Sequence, residues 1–223
     1  MTPIQEALCH IKQQLPQGVE LLAVSKFHPS TAVQEGYDIG QRLFGESREQ
    51  ELSQKARLLP EDIQWQFIGH LQTNKVRNVV PVVSRILSVD SWRLLAEIEK
   101  QAARIDKEIG VLLELHVADE SSKSGFTPAE CLQLLEDGLW QTLPHIRFEG
   151  IMCMATLTTD ENRIRSDFRT ANTFFQVCKE RFFADSPHFR IRSWGMSDDW
   201  PIAIEEGANL IRIGTQIFGP REY

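Results

Sequence analysis

Lys26 is the first residue whose type and placement could do chemistry. It follows the apolar run ELLAVS at 20–25, and strand alternation puts Leu22, Val24 and Lys26 on one face. A lysine aligned with apolar residues at a strand end can sit in a partly dry site. Desolvation favours the neutral amine, and a neutral amine attacks carbonyls. Taken alone, Lys26 reads first as a lysine marking where a strand meets water, since lysines often end strands.

Two later segments change the balance. The run RIRSWG at 190–195 leads through Ser193, Trp194, Gly195, Met196 and Ser197 into Asp198 and Asp199. The run NLIRIG at 209–214 leads through Arg212, Ile213 and Gly214 into Thr215. Glycines at 195 and 214 let backbone amides approach an anion closely, and Ser197 and Thr215 add hydroxyl donors. These are the two loops where a barrel commonly holds a phosphate. The plainer reading is two ordinary turns, but small polar residues occur at both places together. Arg212 alternates with Ile211 and Ile213, so it points inward, where a lone cation is costly. It needs an acceptor there, either a carboxylate or the ring nitrogen of a bound cofactor. Arginine partners the pyridine nitrogen in some pyridoxal phosphate proteins.

Other candidates carry less. Ser47 after FGE and His70 after FIG close the second and third apolar runs and could line a pocket or stand in solvated loops. Lys123 follows the fifth run and reads first as an exposed loop lysine. Asp198 and Asp199 favour the start of a following helix through its dipole. The six histidines show no HExxH or other metal spacing, so no metal is expected. No serine nucleophile elbow is recognisable.

These residues need elements to hold them. Eight apolar, β-branched runs occur at 20–25, 42–46, 64–69, 85–89, 110–117, 148–154, 190–195 and 209–214. Continuous apolar runs suit parallel strands covered on both faces. Amphipathic stretches separate them. In 91–105 the residues Trp92, Leu95, Ile98, Ala102 and Ile105 share a face, and in 161–183 Ile164, Phe168, Ala171, Phe175, Cys178 and Phe182 do so. Thr127-Pro128-Ala129-Glu130 reads as a capping box with proline at the first helical position. Gly40 and Gly207 fall where helix C-caps are expected. Residues 3–15 predict an extra N-terminal helix. Eight strand–helix units in 223 residues point to a single (β/α)8 TIM barrel over 1–223, an α/β fold. An open doubly wound sheet is less apt, because no GxGxxG follows the first strand.

Composition agrees with a globular chain: 42% hydrophobic and 25% charged residues. A net charge of −7 argues against nucleic acid or an anionic membrane as main partner. Cys9, Cys131, Cys153 and Cys178 form no CxxC pair and read as reduced packing residues in a cytoplasmic protein. No secretory leader or membrane span is expected.

Together, AVSK (23–26), FGES (44–47), FIGHLQTNK (67–75), SKSG (122–125), GMSDD (195–199) and RIGTQIFGPREY (212–223) resemble the pyridoxal phosphate homeostasis protein family. The likeness runs from Val19 to Tyr223. It implies a barrel of the alanine-racemase N-terminal-domain type and a pyridoxal 5'-phosphate Schiff base on Lys26. It further implies a phosphate cradle at Ser197, Gly214 and Thr215, and Arg212 near the pyridine nitrogen. Ser193, Gly195 and Met196 belong to the same cofactor loop. Two departures stand out: Ser47 replaces the usual asparagine of FGEN, and Gln66 replaces the histidine of HFIG.

The resemblance implies a cofactor carrier in vitamin B6 and amino-acid homeostasis, acting on apo-enzymes as possible recipients, without strong turnover. An amino-acid racemase of low activity is the alternative. Racemisation needs two opposed acid/base groups about the substrate α-carbon. In alanine racemases the second is a tyrosine of a β-rich second domain. This chain ends just past its eighth run, and its two tyrosines, Tyr37 and Tyr223, are poorly placed for that role. An arginine would also keep the pyridine nitrogen unprotonated and the ring a poor electron sink. A lysine-dependent aldolase acting on a sugar phosphate is a third reading. A monomer is expected.

Overall fold

The computed structural model describes residues 1–118 and 124–220. From Glu20 onward the chain alternates strand and helix. After α1 (Pro3–Gln14) come β1 (Glu20–Val24), α2 (Ser30–Asp38), β2 (Leu43–Glu46), α3 (Glu49–Leu58) and β3 (Gln64–Phe67). Then follow α4 (Val76–Val79), β4 (Arg85–Val89), α5 (Trp92–Ala103), β5 (Ile109–Leu115) and α6 (Pro128–Glu136). The second half closes with β6 (Ile146–Cys153), α7 (Glu161–Arg181), β7 (Ile191–Ser193), α8 (Trp200–Glu205), β8 (Leu210–Ile213) and α9 (Thr215–Phe218).

All eight expected strands form, and every pairing is parallel. Their order is β7-β6-β5-β4-β3-β2-β1-β8, so β8 flanks β1. β7 and β8 share no regular ladder, but Asn209 N donates to Arg192 O at 3.0 Å and Arg212 N to Gly195 O at 3.0 Å. The Asn209 side chain completes this seam. Its Oδ1 accepts from Arg192 N at 2.7 Å, and its Nδ2 donates to Arg190 O at 2.9 Å. The result is the (β/α)8 barrel that the strand count calls for.

The core has two layers because inward and outward side chains alternate along each strand. Leu22, Leu87, Leu112, Met152, Ile191 and Leu210 form an inner cluster, with Leu43, Ile68 and Met154 against it. A larger shell lies between strands and helices. It takes Leu95, Ile98 and Ala102 from α5, and Ile164, Phe168, Ala171, Phe175 and Cys178 from α7. Ile105 departs from the expected face: α5 ends at Ala103, and Ile105 is exposed in the turn beyond.

Local signals set the helix ends. The Thr127 side chain accepts from Glu130 N, and Glu130 returns the bond, completing the capping box. Gly40 and Gly207 follow α2 and α8 at φ +87° and +96°, where a side chain would be strained. In β6 the register against β5 shifts between Val111 and Leu112, inserting Glu149 into the barrel's N-terminal rim.

Candidate functional site

At the C-terminal ends of the strands lies a cleft of about 190 Å³. Lys26 lines it from the loop after β1, beside Val24, while Leu22 one pleat below joins the inner cluster. Strand alternation therefore aims Lys26 as expected. Met196 and Ser197 line the cleft from the loop after β7. Gly214 and Thr215 line it from the loop after β8, with Arg212 beneath them. Three separate stretches of chain thus converge on one opening.

Arg212 is only 5% exposed, yet it reaches the cleft. Its Nη1 donates to Ser193 O at 2.7 Å and Ser193 Oγ at 2.8 Å, and its Nη2 to Cys153 O at 3.0 Å. No carboxylate among the described residues hydrogen-bonds it. Burial pulls its guanidinium below the usual range, opposed by the through-space pull of Cys153, Asp199 and Glu114. The acceptors anticipated for it were a carboxylate or a ligand; three neutral oxygens of β6 and β7 now hold it from behind.

Ser193 and Gly195 support the cleft rather than line it. Ser193 is fully buried under Arg212. Gly195 adopts φ +90°, and a Cβ there would stand 2.5 Å from Ala203 Cβ. Packing against α8 explains this glycine. At Gly214 a Cβ would meet Val24 O at 3.1 Å, so this glycine lets the β8 loop lie close over β1. Ser47 is not among the lining residues; its backbone and Cβ lie against Gly69, which has no room for a side chain. His70 is a solvated loop residue with its Nδ1 3.0 Å from Asp90. Asp199 caps its own loop: its carboxylate accepts from Met196 N at 2.6 Å, and burial raises its pKa above the usual range. Lys123 and Tyr223 lie outside the described residues.

His28, Ile68, Asp198 and Gly219 also line the cleft, unanticipated as members of it. His28 stacks on Phe218 at 5.4 Å between ring centroids. Its position two residues past Lys26, in the same βα loop, was the available signal. Among the described residues no cluster of three potential metal ligands occurs, and no helix is long and apolar enough to cross a membrane.

Fold and site together define a class. Residues 3–222 match the family model for the alanine racemase N-terminal domain. An alanine racemase from Clostridium difficile 630 superposes with a TM-score of 0.75 at 15% identity, over 99% of this chain and 56% of that one, a likeness of fold alone.

Within that class the chain belongs to the pyridoxal phosphate homeostasis proteins. It is 36% identical to the Aquifex aeolicus member over 92% of this chain and 88% of the relative. It is 34% identical to the Vibrio alginolyticus member over the full length of both. PipY of Synechococcus elongatus PCC7942, solved with pyridoxal phosphate bound, superposes with a TM-score of 0.87 at 36% identity, covering 97% of this chain and all of that one.

Proposed function

We propose that residues 1–223 form one domain that holds pyridoxal 5'-phosphate reversibly on Lys26, and that it buffers the cofactor or delivers it to apo-enzymes without turnover of its own. The observation that carries this is the meeting of Lys26 with Arg212, Ser197 and Thr215 on one cleft. An aldehyde phosphate on a pyridine ring needs an amine, an anion cradle, an acceptor-seeking cation and apolar flanks. The cleft has all four, with Val24 and Ile68 as the flanks.

Bound there, the cofactor supplies an aldehyde that condenses with a primary amine, a C=N bond replacing C=O as its oxygen leaves as water. Lys26 offers that amine from a half-buried loop position. Ser197 and Thr215 offer hydroxyl donors, and Gly214 keeps the β8 loop low enough to form a shallow cradle. Arg212 holds a positive charge where its own bonds prevent it from swinging away. Gly195 and Ser193 serve this site from behind the lining.

Several features favour a carrier over a racemase. Tyr37 hydrogen-bonds Asp62 at 2.7 Å near the C-terminal end of α2, at the barrel end opposite the cleft. His28 shares the loop of Lys26 and so does not offer an opposed acid/base. The free cysteines suit a reducing, cytoplasmic setting, and a monomer is the state proposed.

The test is the visible spectrum of the purified protein beside Lys26→Ala, followed by borohydride reduction and peptide mass analysis. Yellow wild type with a pyridoxyl adduct on the Lys26 peptide is expected, and the band is lost or altered in the variant. Colourless wild type without adduct after incubation with pyridoxal phosphate overturns the reading. Alanine racemisation at ordinary enzymatic rates overturns the carrier role.

A further inference from the structure

A second lysine lies beneath the first. Lys55 of α3 is 4% exposed, and its ammonium donates three hydrogen bonds: to Ser25 O at 2.8 Å, Glu46 Oε1 at 2.7 Å and Glu51 Oε1 at 2.7 Å. Glu46 Oε1 also accepts from Ser25 Oγ at 2.6 Å. Glu51 Oε1 also accepts from Phe27 N at 2.6 Å. Ser25 O accepts a further bond from His28 N at 3.1 Å.

Ser25 and Phe27 are the two neighbours of Lys26. The carbonyl of Ser25 belongs to the peptide entering Lys26, and the N–H of Phe27 to the peptide leaving it. Both planes are thus tied to one ammonium–carboxylate group on the far side of the strands, leaving the Lys26 side chain for the cleft. Phe27 adopts φ +67°, a conformation rare for a residue with a bulky side chain, with the Arg48 guanidinium 4.5 Å over its ring. A bond to the Phe27 N–H holds the backbone in that state.

We infer that Glu51 and Lys55 are positioning residues that fix the backbone of Lys26 for its bond to the cofactor. This rests on the proposed function of Lys26. Burying an ion pair is seldom a gain in stability over apolar packing. Here the pair has a geometric task, because both ends of one residue's backbone depend on it. Burial lifts the Glu46 carboxyl to about 7 against the pull of Lys55, consistent with a cluster kept dry beneath the strands.

The experiment measures, by calorimetric titration, the binding of pyridoxal 5'-phosphate and of pyridoxamine 5'-phosphate. The second keeps the ring and phosphate but has no aldehyde, so it reads the cradle without Lys26. Glu51→Ala is the main variant, because Glu51 is only partly buried. Its loss should weaken pyridoxal phosphate about tenfold, the size of one charge-assisted hydrogen bond, and change pyridoxamine phosphate by less than about twofold. Glu51→Gln keeps an oxygen for Phe27 N and should recover most of the loss. Lys55→Met should act in the same direction and more strongly. An equal fall for both ligands marks a merely structural role and overturns the inference, as does unchanged pyridoxal phosphate binding. Wild type without a reducible adduct on Lys26 overturns the proposed function itself, a different result from an adduct that Glu51→Ala leaves intact.

Discussion

Both ends of the barrel interior carry arginines, and they are treated differently. At the N-terminal rim Arg85 and Arg147 converge on Glu149, which is 4% exposed, and Arg147 also pairs with Glu108. Gly110 makes room for that carboxylate, since a Cβ there would stand 2.6 Å from Glu149 Oε1. At the mouth Arg212 is more fully enclosed than Arg85, but only carbonyls and a hydroxyl bond it. The rim charges are neutralised by their own chain. The mouth charge is oriented, and no carboxylate among the described residues hydrogen-bonds it, which suits a site for an anionic, acceptor-bearing ligand. A buried arginine alone does not separate structure from function; the nature of its partners does.

The comparison can be broken most directly at the rim. Glu149→Ala leaves two arginines facing each other without their carboxylate, and should cost about 3–5 kcal/mol in chemical denaturation. A cost near that of an ordinary surface change would mean the rim charges are solvated after all. Glu46→Gln tests a neutralised pair of a different kind. The folded Glu46 pKa of about 7 lies above its ordinary 4.5. The native state therefore holds this proton longer than the unfolded chain, so the contribution is full below pH 4.5 and is lost as pH rises through 7. Wild type should lose up to about 3 kcal/mol relative to the variant across that window. Parallel pH–stability curves would count against a raised pKa. The smallest stability effect is expected at Arg212→Met. Relief from a buried charge offsets the loss of three hydrogen bonds, leaving a net cost of about 1 kcal/mol. Cofactor retention, measured by gel filtration and absorbance, should nonetheless fall about tenfold or more. Large destabilisation with cofactor retained would reverse the assignment of the two ends.

The parts legible in the sequence were those with a periodic signal. Eight apolar runs became eight strands, and period-two alternation placed Lys26 and Arg212 on the inner face. The glycines at 40 and 207 marked helix ends because a positive φ leaves few alternatives. What escaped depended on distance across elements. Glu51 and Lys55 stand four apart on α3, a spacing that gives no sign that α3 folds them under the end of β1. At Gly195 the sequence suggested an approach for an anion but gave no sign of the close packing against Ala203 that leaves no room for a Cβ. Glu149 enters the rim only because β6 carries an extra residue, and no alternation rule anticipates a register shift.

The seam held by Asn209 has one further consequence. The loops after β7 and β8 belong to the two strands that share no ladder, and Ser197 and Thr215 stand on either side of that join. A molecule gripped by both would act as a clasp across the weakest stave of the cask. Its binding free energy would then be added to closure itself, so that emptying the cleft loosens the hoop. Amide exchange at Arg192 and Asn209 would register the clasp opening before the opposite wall, β4 to β6, gave way.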